Sequence, residues 1–248
     1  MGSLAQKSTF AERLIDFTNE VRYQRVESAS EREAVFRLRY EAYVREGTIP
    51  ISFSKQFSDA YDETPNVWIF GTYIDGELVS SIRVHVASPD YPISPSVDVF
   101  PDILLPEIEK GHTVVDPTRF VVHPKLAGLY PELPYITVRL GFLASEYFNA
   151  DLGLAAVRVE HQAFYRRLFM MKPLCEPRMF PNLTKLFSLM GINYMPVRDQ
   201  IIRRYPFMNS SMAEMTALFG RERVDVDMSG FKQPVPAIEQ AMVHHEPA

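Results

Sequence analysis

Apolar residues recur along the chain with the two spacings typical of strands and helices. The clearest pattern covers residues 67–87, where two runs rich in β-branched and aromatic residues are joined by Asp75-Gly76. That dipeptide is a strong signal for a tight hairpin turn, because both of its residues readily adopt positive φ. Similar runs at 21–28, 113–124 and 154–160 predict further strands.

Helices are predicted where apolar residues recur every three to four positions. Three of them begin with a capping box, in which a hydroxyl residue precedes a glutamate by three positions. The boxes are Thr9 with Glu12, Ser30 with Glu33, and Ser211 with Glu214. They predict a short helix from Phe10, a helix through about Arg45, and a helix at 210–220. Two more helices are predicted at 134–149 and 161–170.

Two segments have less regular patterns. Residues 89–112 contain five prolines, and we expect them to form an irregular excursion. Long loops of this kind are often functional. Residues 183–197 fit a strand and a helix equally well.

This order of elements predicts an α/β (α+β) fold with one mainly antiparallel central sheet flanked by helices. The hairpin argues against a purely parallel, doubly wound sheet. We divide the chain into a docking helix at 1–20, a main domain at 21–197, and an extension at 198–248. The extension should consist of a helix and a loose tail after Phe231.

Composition excludes several classes of protein. The net charge of −5 leaves no basic excess for general nucleic-acid binding. No apolar stretch approaches the roughly 20 residues that cross a bilayer, and no secretory signal is visible. With a single cysteine, Cys175, the chain is expected to be cytoplasmic. The histidines and acids lack the spacing of metal ligands, so no metal and no bound cofactor are predicted.

Five stretches, in this order, resemble the GNAT-like N-acyl amino acid synthases and the related acyl-homoserine lactone (autoinducer) synthases. The likeness covers about residues 21–197. The stretches are RLRYEAYVRE with Arg39 and Tyr43, the pair Asp59 and Asp62, SIRV with Arg83, VDPTRFVV with Asp116, Thr118 and Arg119, and HQAFYRRLF with His161 and Tyr165.

The resemblance implies an enzyme that transfers a long-chain acyl group from acyl carrier protein to the amine of an amino acid. Acyl-phosphopantetheine would then be a co-substrate. One alternative is acyl-homoserine lactone synthesis from S-adenosylmethionine. Another is a fold of this type that has lost its chemistry and binds a lipid or a partner protein.

The segment HPKLAGLYPELPY, which follows the strand at 113–124, favours the carrier protein as acyl donor. Acetyl-CoA-dependent enzymes of the resembled type hold the pyrophosphate of CoA there on backbone N–H groups of a glycine-rich turn. This segment has one glycine and three prolines, and proline has no N–H to donate.

Asp116 is the predicted general base for the amine, and Tyr165 the predicted acid for the leaving thiolate. Strict strand alternation puts Asp116 and Arg119 on opposite faces, so a bulge near Pro117 is required for both to serve one site. Alternatively, Asp116 forms a structural ion pair, and Tyr165 packs against the sheet.

The remaining candidates are expected to bind substrate. A network of Arg39 and Arg83 with Asp59 and Asp62 would order the acidic loop and bind the ammonium group of the acceptor. Solvated or purely structural charges are the alternative. Further substrate-binding candidates are Tyr43, Thr118, Arg119 and His161.

Four basic residues are predicted to bind the acidic carrier protein. An acidic enzyme needs a local basic patch for such a partner. The candidates are Arg166, Arg167, Lys172 and Arg178. Ordinary surface charges that only promote solubility are the alternative.

Overall fold

Eight strands form one sheet in the computed structural model, which describes residues 9–220. The strands are β1 (Arg22–Arg25), β2 (Val67–Ile74), β3 (Glu77–Ala87), β4 (Val114–Val122), β5 (Leu152–Arg158), β6 (Lys172–Pro173), β7 (Arg178–Met179) and β8 (Leu186–Asn193). Their order across the sheet is β1-β2-β3-β4-β5-β8-β6, with β7 also pairing with β8. Only β4 and β5 pair in parallel among the described strands, which confirms the mainly antiparallel sheet.

Eight α-helices surround the sheet in the described part of the chain. They are α1 (Phe10–Glu20), α2 (Ala29–Arg45), α3 (Pro95–Val99), α4 (Pro101–Glu109), α5 (Leu133–Tyr147), α6 (Gln162–Phe169), α7 (Tyr194–Arg204) and α8 (Met212–Phe219). Short 3₁₀ turns lie at Ala60–Glu63, Val159–His161 and Pro206–Met208.

Neighbouring residues of β4 and β5 belong to different apolar clusters, which shows that the sheet is buried on both faces. Val115 and Ala155 pack in the cluster that contains α5, whereas Val114 and Leu154 pack in the cluster that contains Tyr40 of α2. Successive side chains of a strand point to opposite faces. Therefore α5 and α2 cover opposite faces of the sheet.

The hairpin of β2 and β3 is confirmed. Asp75 and Gly76 form its turn with φ of 49° and 83°, the positive values that a type I′ turn requires. The capping box at Thr9 is also confirmed.

The second capping box was placed two residues too late. Ser28, not Ser30, caps α2, and the carboxylate of Glu31 returns to the backbone N–H of Ser28. Ser28 with Glu31 and Ser30 with Glu33 both fit the capping-box pattern. Because β1 ends at Arg25, the helix can begin at the earlier pair.

The proline-rich segment 89–112 is not the irregular excursion that we expected. It contains α3 and α4, which begin at Pro95 and Pro101. Proline suits the first turn of a helix because its φ is preset and its missing N–H would have no helical partner there. The prolines therefore start helices instead of preventing them.

The ambiguous segment 183–197 contains a strand and the start of a helix. It forms β8 and then the first residues of α7. The predicted boundary between 197 and 198 consequently falls inside α7. The predicted tail after Phe231 lies outside the described residues.

The helical extension is tied to the domain by Arg139 of α5, a buried residue. Its guanidinium donates to the carbonyl oxygens of Phe207 and Asn209 at 2.7 and 2.8 Å. It also forms a salt bridge with Glu214 of α8 at 2.8 Å. Ser211 still caps α8, but the predicted box is incomplete because the carboxylate of Glu214 is bonded to Arg139.

Across residues 9–220, no helix has the length and apolarity needed to cross a membrane.

Candidate active site

The two central parallel strands separate soon after they meet. β4 and β5 pair only at Val114 with Leu152 and at Val115 with Gly153. Beyond Val115 the strands diverge, and a cavity of about 530 Å³ lies between them and extends over the α5 face. Small residues of β5, namely Gly153, Ala155 and Ala156, line this opening.

Most of the cavity wall is apolar. Side chains from β3, α5, β5, α6 and α7 contribute, among them Ile82, Val138, Phe142, Val157, Phe164 and Ile201. Cavities with such walls suit hydrocarbon groups, because apolar surface is removed from water on binding.

Tyr165 of α6 also lines the cavity, next to Phe164 and Phe169. Its hydroxyl has no hydrogen-bond partner among the described residues. Burial raises the pKa of Tyr165 well above its usual value, so the phenol stays protonated near neutral pH. The structure thus places an uncommitted hydroxyl donor beside the apolar space.

Polar residues of β4 reach the cavity through a bulge. Ser81 pairs with Val121 and Arg83 with Thr118, so the single residue between them in β3 faces two in β4. Arg119 takes a left-handed backbone with φ of 52° at this point. The bulge that we expected near Pro117 therefore lies at Arg119, and it turns this side chain toward the same side as Arg83.

The two loop aspartates and three arginines form one buried ionic network. Asp62 accepts from Nη1 of Arg39 at 2.8 Å and from Nη1 of Arg83 at 3.0 Å. Asp59 accepts from Arg83 and, at 3.2 Å, from Nε of Arg119. The predicted grouping of Arg39 and Arg83 with Asp59 and Asp62 is confirmed, and Arg119 joins it.

These carboxylates are already engaged by protein donors. Both oxygens of Asp59 accept from arginines, and Oδ2 of Asp62 accepts from the backbone N–H of Asp59 at 3.0 Å. Burial opposes ionisation of Asp59 and Asp62, but the arginines outweigh it and hold the pKa of both below the usual value. The network therefore orders the loop, and the expected contact with a substrate ammonium stays a prediction.

Tyr43 and Thr118 lie next to this network. Thr118 Oγ1 accepts from Nε of Arg83 at 3.1 Å, and Thr118 lines the cavity. The ring of Tyr43 packs edge-on against Phe57, and the guanidinium of Arg119 stacks over both rings. This stacking holds Arg119 at the cavity wall.

Asp116 does not occupy the place that the sequence suggested. It is fully buried and is not part of the cavity wall. Its carboxylate accepts from the backbone N–H and the hydroxyl of Ser96, at 3.0 and 2.8 Å, on the side of α3. Burial raises the pKa of Asp116, and Arg119 donates to Asp59 instead. The interpretation of Asp116 as the base that meets the amine is therefore wrong: it anchors the first turn of α3.

His161 lies at the cavity mouth. Its Nε2 accepts a hydrogen bond from Nη2 of Arg158 at 2.7 Å. Burial and the neighbouring Arg158 lower the pKa of His161. Arg158 in turn forms a salt bridge with Glu46 at 2.9 Å, and all three residues line the cavity.

Sequence reasoning missed Glu46 and Arg158. Each lies at the end of an element, Glu46 as the C-cap of α2 and Arg158 as the last residue of β5. The position of Arg158 was the signal, because ligands commonly bind at the carboxyl end of a strand where the sheet splays.

Three of the four predicted docking residues are exposed, as docking requires. Arg166 and Arg167 lie on α6, whose inner face lines the cavity, and Lys172 lies on β6. Arg178 differs: its guanidinium makes two hydrogen bonds to the carboxylate of Asp102, which neutralises it. Arg178 is therefore a poor docking residue.

Comparisons with known proteins agree with this architecture. The solved structure of FeeM, an N-acyl amino acid synthase from uncultured soil microbes, superimposes with a TM-score of 0.60 at 16% identity, over 76% of this chain and 98% of that one. BjaI, a CoA-dependent acyl-homoserine lactone synthase solved with SAM and isopentyl-CoA, gives 0.52 at 14% identity, over 75% and 89%. These two likenesses establish the fold.

The family is established by sequence. No curated protein matches the chain. The profile described as N-acyl amino acid synthase FeeM, however, matches residues 34–193, which is more than half of the chain and contains the splayed strands and the ionic network. The chain therefore belongs to the FeeM family of N-acyl amino acid synthases, and it is an N-acyltransferase.

Proposed function

We propose that this enzyme transfers a long-chain acyl group from the phosphopantetheine arm of an acyl carrier protein to the amine of an amino acid, forming an N-acyl amino acid. The observation that carries the proposal is the apolar cavity between β4 and β5, which has a polar mouth and contains Tyr165. The divergence of the strands provides a path for the arm, and the apolar wall suits the acyl chain.

The start of α5 supports a carrier protein over CoA as donor. A pyrophosphate needs free backbone N–H groups at this place. Here Pro134 has none to give, and most others are already bonded within the segment 123–136. The bonded N–H groups are those of Lys125, Leu126, Ala127, Leu129, Tyr130, Leu133, Tyr135 and Ile136.

The packing of α1 strengthens that argument. Glu132, the N-cap of α5, places a carboxylate where the pyrophosphate of CoA would lie, and Arg13 of α1 binds it at 3.3 Å. Phe10 packs edge-on against Tyr135, with ring centroids 4.9 Å apart. The helix terminus is thus covered by protein, and its positive dipole end already has the carboxylate of Glu132 beside it, which leaves less attraction for a second anion.

In the reaction, the neutral amine attacks the thioester carbonyl, a C–N bond forms, and the C–S bond breaks. The leaving thiolate then needs a donor. Tyr165 meets this requirement because its phenol is protonated, lies in the cavity wall and has no other partner among the described residues. The network of Asp59, Asp62 and three arginines holds the surrounding loop without entering the chemistry.

The exposed basic residues Arg166 and Arg167 are the proposed docking site for the carrier. Among the described residues, their guanidinium groups donate only to the neutral groups of Gln162 and Tyr135, so both charges remain available. Tyr205 donates to the carbonyl of Arg167 at 3.4 Å, which brings the end of α7 with Arg203 and Arg204 beside them. Lys172 lies on the nearby edge strand.

The test is a product analysis with purified enzyme. Dodecanoyl and hexadecanoyl groups are supplied on acyl carrier protein and on CoA, with the common L-amino acids or S-adenosylmethionine as acceptor, and products are identified by mass spectrometry. We expect N-acyl amino acids, with kcat/KM higher for the carrier-bound donor than for the CoA thioester. Lactone products, or a preference for CoA, would contradict the proposal.

A further inference from the structure

The mouth of the cavity contains an ion pair whose side chains still have hydrogen-bonding groups free. Glu46 contributes the one carboxylate among the cavity-lining residues of the described chain, and its Oε2 accepts from Nη2 of Arg158 at 2.9 Å. Nε of Arg158 also pairs with the exposed Glu160, which lies outside the cavity wall, at 3.3 Å. Within residues 9–220, Oε1 of Glu46 and Nη1 of Arg158 have no partner. The pair therefore offers one free acceptor and one free donor group next to the apolar space.

The other charged groups of the cavity wall do not offer such a pair. Arg119 binds Asp59, and Arg45 donates to the carbonyl oxygen of Pro124. Neither of them has a neighbouring carboxylate that remains open to a ligand. Glu46 and Arg158 are thus the place on the cavity wall where a positive and a negative ligand charge can both be satisfied.

His161 adds a third group whose tautomer is determined by its neighbour. A guanidinium only donates, so Nε2 of His161 must supply the lone pair that meets Arg158. With its pKa lowered, the ring is neutral near pH 7, and its proton therefore resides on Nδ1. The lone pair of Nε2 thus holds the guanidinium of Arg158 at the cavity wall.

We propose that Glu46 and Arg158 bind the acceptor amino acid as a zwitterion, an assignment that rests on the proposed function. The α-ammonium lies on Oε1 of Glu46, and the α-carboxylate lies on Nη1 of Arg158, which His161 positions through Nε2. The pair carries the two charges complementary to those of an amino acid, and it stands at the polar end of the cavity that takes the acyl chain.

In this arrangement Glu46 is the general base, a role that the buried Asp116 cannot fill. The ammonium proton moves to Oε1 of Glu46, and the nitrogen lone pair is then free to attack the thioester carbon. Once the C–N bond has formed, the nitrogen releases its second proton to solvent. The thiolate takes its proton from Tyr165, which recovers one from water, and Glu46 releases its proton to solvent before the next turnover.

The experiment compares an amino acid with the amine that lacks its carboxylate. The best acceptor among the common L-amino acids is first identified with the wild-type enzyme, and its decarboxylated amine is then assayed beside it. Arg158→Met should lower kcat/KM for the amino acid by about tenfold to a hundredfold, the usual effect of losing a charge-assisted contact. It should leave kcat/KM for the amine almost unchanged.

Glu46→Gln should weaken both acceptors, because both carry the ammonium group. Its deficit should shrink as the pH rises and the acceptor amine loses its proton without help. The matched controls are Glu33→Gln and Arg37→Met. Those residues form an exposed ion pair on α2 with a 2.6 Å contact, outside the cavity wall, and both controls should match the wild type.

The outcomes separate this assignment from the proposed function. If the wild type makes no N-acyl amino acid, the proposed function fails. If product forms but Arg158→Met still prefers the amino acid to the amine by the wild-type ratio, the zwitterion site is wrong. If Arg158→Met instead raises KM for the acyl carrier protein alone, Arg158 binds the phosphate of the arm and the assignment is overturned.

Discussion

Two aspartates of the same domain show how the contacts of a residue decide its chemistry. Asp59 is held ionised because Arg83 and Arg119 surround its carboxylate, and its pKa falls. Asp116 meets the neutral donors of Ser96 and Ser94, so burial dominates and its pKa rises. The sequence shows two acids near arginines, whereas the side-chain contacts give one a counter-charge and the other a buried hydrogen-bonding role.

Tyr165→Phe tests the proposed donor to the thiolate. The substitution removes only the hydroxyl, so we expect kcat to fall by about a hundredfold, the scale of one general acid, with the acceptor KM unchanged. Steady-state kinetics with carrier-bound donor provides the measurement. Tyr147→Phe is the control, because that ring packs on Phe148 and lies outside the cavity wall. Equal rates for the two variants would remove Tyr165 from the reaction.

Asp62→Asn tests the energetic importance of the ionic network. The change leaves the fully buried guanidinium groups of Arg39 and Arg83 without a full counter-charge, which should cost about 3–5 kcal/mol in the free energy of unfolding. Glu63→Gln breaks an exposed pair with Arg32 and should cost less than about 1 kcal/mol. Urea unfolding of both variants measures the difference. Similar losses would show that Asp62 is not a buried anchor.

At the scale of elements, two contacts attach the ends of the described chain to α5. The N-terminal helix α1 covers the start of α5 through Glu132 and Tyr135, and Arg139 ties α8 to its middle. The described part of the extension, up to Gly220, therefore packs on the main domain, on the side of the sheet that α5 covers. Trp68 of β2 extends this attachment by donating to the carbonyl of Phe219 at 3.1 Å.

Arg139→Met should release the extension selectively. It removes the donors to Phe207 and Asn209 and leaves Glu214 without its partner. We expect amide hydrogen exchange to increase in 206–219 while β4 and β5 keep their protection, because local regions open according to their own contacts. Exchange measured by mass spectrometry provides the test. A uniform increase over the whole domain would instead show that α8 is not an independent unit.

At the scale of the whole molecule, the ionic network couples stability to pH. Asp59 and Asp62 have folded-state pKa values below the ordinary value of about 3.9. Their contribution to stability is therefore complete above about pH 4, and it is lost as the pH falls through the folded pKa values.

Unfolding free energy should accordingly drop steeply below about pH 4, and Asp62→Asn should flatten that slope by removing one titrating group. Urea unfolding at a series of pH values measures both curves. Parallel slopes for wild type and variant would contradict the assignment of lowered pKa to Asp62. Asp116 cannot produce the same slope, because its raised pKa makes protonation favourable to the folded state.

Particular residues show how far the sequence predicts this fold. Asp75-Gly76 defines the hairpin locally, and Thr9 with Glu12 defines a helix start, because each depends on the conformations and side chains of adjacent residues. Pro95 and Pro101 were misinterpreted, since proline suits both a loop and a helix start and the choice depends on what packs around it. Family likeness identified the network residues and the grouping of Arg39 and Arg83 with Asp59 and Asp62, but not that Arg119 joins them.

By itself, then, the sequence determined the order of elements, the mixed sheet, the family and the set of charged residues near the site. The order of elements and the mixed sheet follow from local backbone preference and from apolar periodicity, which act over a few neighbouring residues. The family and the charged residues follow from the resemblance of five short stretches. Tertiary structure alone decided that Arg119 turns at a bulge toward Asp59, that Asp116 is sealed against Ser96, and that Glu46 meets Arg158 across the cavity mouth. Those contacts join residues remote in sequence, and their geometry depends on how strands and helices pack.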